Sequence, residues 1–460
     1  MDNLNKDKMQ SQQGHVGYVP PADNPYISAL RSGQDPNIDT VDEGYVAPFN
    51  SIDEEELEPK PLNNKSKKTI LIFAIVLVIA GVFAYMYRPV EILVNGKRLT
   101  YTVGTSAEEV FKESNIEIKP GDKVSVSKKL LEEGKGQAFS LKVNNKPLDY
   151  EAAQKYKISG GDELVFADGK DVMEEHTVVD KEVQPKFVLD GDYGSVSYIS
   201  QWGKPGKYKV LTGKESGETV DGDWIKKPQD CVVRITNIHP KDGKKVVALT
   251  FDDGPSEYTQ QVLDILAEYD IKATFCQVGN LVEQNPKTAK AVLDAGMQII
   301  SHSTRHAMLT ADGVSFDEEV GKSLRQIEST LGYKTTALRP PYGAFNQKTW
   351  LASNGMITTS FLWTQDSKDW ALPGASNIVK NSCSNVAPGS IVLLHDGGGN
   401  RAQTVEALPQ IIENIKSEGY EFVTLSELMK SDPSIPEGMT TCNVSMPDGC
   451  VWPTEIGINW

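Results

Sequence analysis

Apolar and polar positions are distributed unevenly along this chain. Between residues 245 and 430, short apolar runs alternate with amphipathic stretches. Val246–Phe251, Ala273–Val278, Gln298–Ser301, Ala337–Leu338, Ile357–Leu362, Ser390–Leu394 and Phe422–Thr424 read as strands. Glu257–Tyr269, Pro286–Ala295 and Phe316–Leu331 have helical spacing, the last two stopped by Gly296 and Gly332. Such alternation implies an α/β unit with a parallel sheet. About seven βα units fit an open doubly wound sheet or a barrel, closed or nearly closed. In either, catalytic groups collect at the C-terminal strand ends.

A different pattern stands upstream. Thr69 to Tyr87 is an uncharged apolar run of nineteen residues. As a helix it would span about 28 Å, the thickness of a bilayer's hydrocarbon core. Lys65, Lys67 and Lys68 precede it and only Arg88 follows closely, so residues 1–68 are expected in the cytoplasm and the rest outside. A cleaved signal peptide competes with this anchor, because Val82 and Ala84 suit a peptidase; the long preceding segment argues against it. A buried core helix would need a polar face. Residues 1–68 are poor in large apolar side chains and carry the acidic run Glu54, Glu55, Glu56 and Glu58, which reads as a disordered tail.

Residues 90–180 alternate strand-like runs with turns. Val90–Val94, Asn95-Gly96 and Arg98–Val103 read as a hairpin, and Ser106 with Glu109 as the start of a helix. The segment resembles small β-grasp modules of wall-associated bacterial proteins, and a spacer or wall-contacting domain is expected. Residues 187–244 read as a small β-rich domain or linker. Their aromatics Tyr198, Trp202, Tyr208 and Trp224 could meet sugars, but packing is the simpler expectation. Residues 431–460 read as a tail. There Cys442 and Cys450 flank Pro447, Asp448 and Gly449, so a disulfide-closed loop is plausible outside the cell.

Charge narrows the partners. Lys and Arg number 47 against 63 Asp and Glu, a net −16, which argues against binding nucleic acid through charge. Five cysteines are too few for a disulfide-built scaffold.

Candidate chemistry falls at the strand ends. The first strand finishes in Asp252-Asp253-Gly254-Pro255, a carboxylate pair poorly suited to a core. Successive side chains diverge, so one can ligate a metal while the other addresses a water. His302 and His306, four apart, would face one side of a helical turn. Only six histidines occur in the chain, and His302, His306 and His395 all follow predicted strands. Asp253, His302 and His306 make a two-nitrogen, one-oxygen set with open positions, a donor type that suits zinc in a catalytic site. Arg339 precedes Pro340-Pro341, which bases it rigidly for pairing with a carboxylate. Asp366-Ser367-Lys368-Asp369-Trp370 adds carboxylates beside an aromatic, and Leu393-Leu394-His395-Asp396 ends a further strand.

The ordered set TFDDGP, HSTRH, RPPYG, DSKDW and LLHD resembles the NodB-homology polysaccharide deacetylases, carbohydrate esterase family four. It covers residues 245–430. The resemblance implies a distorted (β/α) barrel of about seven strands and a metal-dependent hydrolase of N-acetyl groups on sugars. By matching positions, Asp252 resembles the family's catalytic base. Asp253, His302 and His306 look like its metal ligands, Arg339 like the residue holding the base, His395 like the general acid and Asp369 like the carboxylate tuning it. Trp370 and Leu393 match walls of the acetyl pocket, and the Tyr342 N–H an oxyanion donor. Many members carry Asp where Thr364 stands. Asp252→Asn and His395→Ala are each expected to abolish turnover with the fold intact. A chain anchored outside a membrane meets peptidoglycan first, so N-acetylglucosamine in cell-wall glycan is the expected substrate, with N-acetylmuramic acid, chitin oligomers and O-acetylated xylan as alternatives. A non-catalytic wall-binding protein would have lost a base, acid or ligand, and none is lost here. A two-metal phosphatase would need a bridged ligand pair.

Overall fold

The structure, a computed structural model, describes residues 64–457; the expected disordered tail lies almost wholly outside them. Helix Asn64–Met86 contains, from Lys67 to Met86, a span of mean hydropathy 2.7. Among the described residues it is the one helix long and apolar enough to cross a membrane. The part to Phe83 and the body from Ala84 onward are separate units.

The body begins with a mixed five-stranded sheet. Pro89–Val94 and Lys97–Thr102 form the expected hairpin, with Asn95 and Gly96 at φ 46° and 80°. Ser140–Val143, Lys146–Pro147 and Glu163–Ala167 complete the sheet, whose central pair is parallel. Helix Ala107–Glu113 starts in a capping box between Ser106 and Glu109. Val110, Phe139, Leu141, Leu164 and Phe166 form this module's own core. A ribbon of His176–Val183, Gly206–Gly213 and Thr219–Lys226 follows.

The largest sheet holds β1 (Phe187–Asp190), β2 (Val196–Gln201), β3 (Cys231–Thr236), β4 (Val246–Asp252), β5 (Thr274–Gln277), β6 (Gln298–Ser301), β7 (Ala337–Leu338), β8 (Thr359–Phe361), β9 (Gln365–Asp366), β10 (Ile391–His395) and β11 (Glu421–Phe422). Its order is β1-β3-β2-β8-β7-β6-β5-β4-β10-β9, with β11 beside β4. From β8 to β9 all neighbours are parallel, and β11 is parallel to β4. Seven parallel strands thus run consecutively, but strand pairing does not close them into a barrel: β8 pairs with β2 instead of β9.

That pairing corrects the expected separation of residues 187–244. β1, β2 and β3 extend the catalytic sheet, and only the ribbon strands stand apart from it. The reason is physical: β8 is buried throughout, and its free edge would leave backbone groups unpaired without β2. The C-terminal segment is also built in. Trp452 Nε1 donates to Leu351 O at 2.8 Å, and Phe187 N donates to Glu455 O at 2.8 Å. Cys442 is buried and Cys450 half-buried, and they are not bridged.

Period-two alternation divides the core. Val247, Leu249 and Phe251 of β4, with Val392 and Leu394 of β10, meet Val262 and Leu266 of helix Thr259–Glu268 and Ile411 of helix Ala402–Ser417. Ala248, Cys276, Ile300 and Ile391 belong to the opposite layer, with Trp350 and Phe361. Asp252 continues the row of Ala248 and Thr250, and His395 the row of Ile391 and Leu393. Both therefore emerge on the face away from helices Thr259–Glu268 and Ala402–Ser417, at the C-terminal ends of their strands.

Candidate active site

A cavity of about 500 Å³ opens at that face. Eight of the ten expected residues line it: Asp252, Asp253, His302, His306, Tyr342, Trp370, Leu393 and His395. Arg339 and Asp369, both fully buried, lie beneath.

Asp252 and His395 are register partners on β4 and β10. Arg339 Nη1 donates to both Asp252 oxygens, at 3.2 and 3.1 Å. Arg339 Nη2 donates to Thr250 Oγ1 and Leu362 O, each at 3.3 Å, so the guanidinium's plane is fixed as well as its charge.

Asp253 Oδ1 faces His302 Nε2 at 3.3 Å and His306 Nε2 at 3.2 Å. Burial alone would raise the Asp253 carboxyl, but the imidazoles of His302 and His306 outweigh it and hold it below the usual range. Burial, with His302 nearby, lowers His306. His302 Nδ1 lies 2.6 Å from Arg339 O, which fixes the tautomer with Nε2 as the free lone pair.

The histidines do not converge on a helical turn as expected. Residues 302–306 form a loop in which Ser303 and His306 have φ of 66° and 63°. Glu319 holds this loop: its side chain accepts from Arg305 N at 3.2 Å and Arg305 Nε at 2.8 Å. His306 N donates to Ser303 Oγ at 2.8 Å.

His395 Nδ1 lies 2.7 Å from Asp369 Oδ1, and its backbone N donates to Asp369 Oδ2 at 2.9 Å. Thr404 Oγ1 donates to the same oxygen at 2.8 Å. Burial would lower His395, but the bond to and charge of Asp369 raise it above its ordinary 6.5. Burial would likewise raise Asp369, and the His395 bond holds it below 3.8. Tyr342 has φ 59° and presents its ring to His306, centroids 4.6 Å apart. Thr364 serves the sheet: Ile391 N donates to its Oγ1 at 2.9 Å.

Asp366 of the DSKDW stretch also lines the cavity, and Trp363, Gly398 and Arg401, which line it too, were missed in the sequence. Arg401 Nε and Nη2 donate to the carbonyls of Gly397 and Gly398, at 2.7 and 3.1 Å. That folds the glycine run against Asp253, where a side chain at Gly398 would collide with the carboxylate. The run Gly397-Gly398-Gly399 directly after a strand was the available signal. Asp396 is fully buried, accepts the Thr259 hydroxyl, and is pushed up to about 7 by burial.

The donor set fits a divalent cation. Asp253 Oδ1 is buried without a hydrogen-bond partner among the described residues. One atom each of Asp253, His302 and His306 lie within 4.8 Å of one another. An oxygen and two imidazole nitrogens, with room on the cavity side, is a set for a metal that keeps open positions.

The family model described as polysaccharide deacetylase matches residues 239–359. A peptidoglycan-N-acetylglucosamine deacetylase of Bacillus cereus is 39% identical over 195 residues, covering 41% of this chain and 90% of the relative. PgdA of Listeria monocytogenes, also named a peptidoglycan-N-acetylglucosamine deacetylase, is 35% identical over 198 residues, 43% of this chain and 41% of PgdA. PdaC of Bacillus subtilis, named a peptidoglycan-N-acetylmuramic acid deacetylase, is 34% identical over 205 residues, 44% of this chain and 43% of PdaC. A solved structure of PdaC aligns with 41% of this chain and 91% of its own, at 33% identity and a TM-score of 0.38. The chain belongs to the polysaccharide deacetylase family, carbohydrate esterase family four, and is a hydrolase of that family.

Proposed function

We propose that this protein removes N-acetyl groups from N-acetylglucosamine residues of peptidoglycan, releasing acetate. The observation that carries the reading is the pairing of Asp252 with His395 across neighbouring strands, in one cavity with the Asp253, His302 and His306 cluster.

An amide is a poor electrophile, and water a poor nucleophile. Asp253, His302 and His306 would hold a divalent cation, zinc by donor type; the chemistry it supplies is polarisation of the acetyl carbonyl and greater acidity of the attacking water. Asp252, held in place by Arg339, accepts the proton of that water as general base. The N–H of Tyr342 donates to the developing oxyanion. Nitrogen cannot leave as an amide anion, so His395, whose protonated form Asp369 favours, donates a proton to it. Leu393 and Trp370 enclose the acetyl methyl group. A non-catalytic binding role has no support, because base, acid and ligand set are all retained.

The names of the Bacillus cereus and Listeria relatives support N-acetylglucosamine. PdaC supports N-acetylmuramic acid as the second reading. The helix over Lys67–Met86, preceded by Lys65, Lys67 and Lys68, supports an anchor that leaves the catalytic body outside the membrane. On this reading the module at residues 90–180 is a spacer near the wall.

The test is acetate release by the full-length protein from purified peptidoglycan, chitin oligomers and acetylated xylan, with identification of the deacetylated sugar. Release from peptidoglycan with free glucosamine in the product supports the proposal. Free muramic amine instead selects the second reading. Release from xylan alone, or from no substrate, overturns both.

A further inference from the structure

Two further depressions lie near the catalytic cavity. A groove of about 550 Å³, reaching Asn280, Leu281 and Gln284, shares Asp253, His306, Tyr342 and Gly398 with it. Separately, a cleft of about 180 Å³ is bordered by Asp192, Tyr193, Phe345, Asn346 and Leu362 and shares no lining residue with the cavity. Leu362 borders this cleft and its neighbour Trp363 the catalytic cavity. Gly343 stands between them: a Cβ there would be 3.1 Å from the Trp363 ring and 3.6 Å from Leu362.

Tyr193 reaches this rim because of strand direction. β2 runs antiparallel to β8, with Val196 opposite Phe361, and Leu362 N donates to Ser195 O at 2.8 Å. The start of β2 therefore lies at the end of β8, which is the catalytic end of the parallel strands. The turn 191–194 is delivered there and pinned. Ser195 N donates to Asn237 Oδ1 at 3.0 Å, and Gly194 lies so close to the Thr236 backbone that no side chain fits. On this fixed turn the Tyr193 ring is 91% exposed, the aromatic most open to water on the rim. The turn precedes the matched family segment 239–359.

We propose that the turn 191–194 adds a sugar subsite to the catalytic groove, with Tyr193 stacking on a pyranose of the same glycan chain whose N-acetyl group is being removed. The inference rests on a polysaccharide substrate. A sugar ring presents a face of C–H groups that covers an aromatic ring, while its hydroxyls need polar partners. Asp192 and Asn346 supply an acceptor and an amide at the cleft. Proximity to the cavity, with Leu362 of the cleft next to Trp363 of the cavity, identifies the occupant: a polymer placed at the reaction centre must cross its rim. The aromatics singled out in the sequence do not serve this purpose. Tyr198 and Tyr208 are buried, Trp202 packs against the core, and Trp224 belongs to the ribbon.

Full-length wild type, Tyr193→Ala and Tyr193→Trp are compared on the dimer and hexamer of N-acetylglucosamine. The expected result is a ratio of hexamer to dimer kcat/KM about fivefold lower in Tyr193→Ala and restored in Tyr193→Trp. Calorimetric binding of the deacetylated hexamer, which cannot turn over, is expected to weaken by a similar factor. An unchanged ratio with unchanged hexamer affinity overturns the subsite. If wild type releases no acetate from either oligomer, the deacetylase reading is decided on peptidoglycan, and hexamer binding alone decides the subsite: loss in Tyr193→Ala supports it, no change removes it.

Discussion

Asp252 and His395 occupy matched positions at the ends of two hydrogen-bonded parallel strands. Adjacent strands lie about 4.8 Å apart, so the sheet itself, more than any loop, sets the spacing of the proposed base and acid. Arg339 braces one and Asp369 the other, both from below the cavity floor.

The two braces make the single variants unequal. His395→Ala is expected to lower kcat at least about a hundredfold and leave stability nearly unchanged. Asp252→Asn is expected to lower kcat as much, but it also leaves the buried Arg339 without a counter-charge. Loss of one partner of a buried pair costs about 3–5 kcal/mol. The expectation of an intact fold therefore holds for His395 and needs amending for Asp252. Acetate kinetics beside thermal melts decide this; equal melting temperatures for the two variants would contradict the brace.

Asp369→Asn separates tuning from presence of the acid. His395 must be protonated to donate, and Asp369 raises its pKa, so activity is retained to higher pH and lost as pH climbs through that raised value. In Asp369→Asn the alkaline limb of the kcat profile is expected to move to lower pH, with kcat at the optimum down about a hundredfold or more. A fall in rate with an unmoved limb would assign Asp369 a purely structural role.

Local patterns foretold what local forces decide. Asn95-Gly96 closed its hairpin, Ser106 and Glu109 formed their capping box, and apolar runs became β4, β5, β6 and β10. The ten expected site residues meet at one cavity or directly beneath it, because polar residues at the ends of parallel strands share one rim. What stayed hidden depends on distant partners. β2 covering the edge of β8 joins residues far apart in the chain. The 302–306 loop owes its left-handed residues to the clamp from Glu319, so spacing alone suggested a helical turn. β9, the two residues Gln365–Asp366 at the start of the DSKDW stretch, is too short for any periodicity.

Cation binding should depend on all three proposed ligands together. Asp253→Ala, His302→Ala and His306→Ala are each expected to abolish high-affinity zinc binding in calorimetry. Chelator should stop acetate release from wild type, and added zinc restore it. At a hundredfold excess over Kd, the ion should stabilise wild type by about 2.7 kcal/mol and the variants not at all. Zinc-dependent stabilisation persisting in His306→Ala would remove that residue from the set.

Asp396 carries a prediction of opposite sign to the usual carboxylate. Burial pushes it up to about 7, whereas an exposed aspartate titrates near about 3.9. Between those values the folded chain keeps a proton that the open chain has released. Stability therefore falls as pH rises through this window. Asp396→Asn preserves the shape and an acceptor for the Thr259 hydroxyl, but has no proton to lose. In chelator-treated protein, so that no cation charge enters, the variant's denaturation midpoint should decline less from pH 4.5 to pH 7.5 than that of wild type. It should equal or exceed wild type at the upper end. Parallel pH dependences in the two proteins would mean that Asp396 is ionised throughout and balanced by its surroundings.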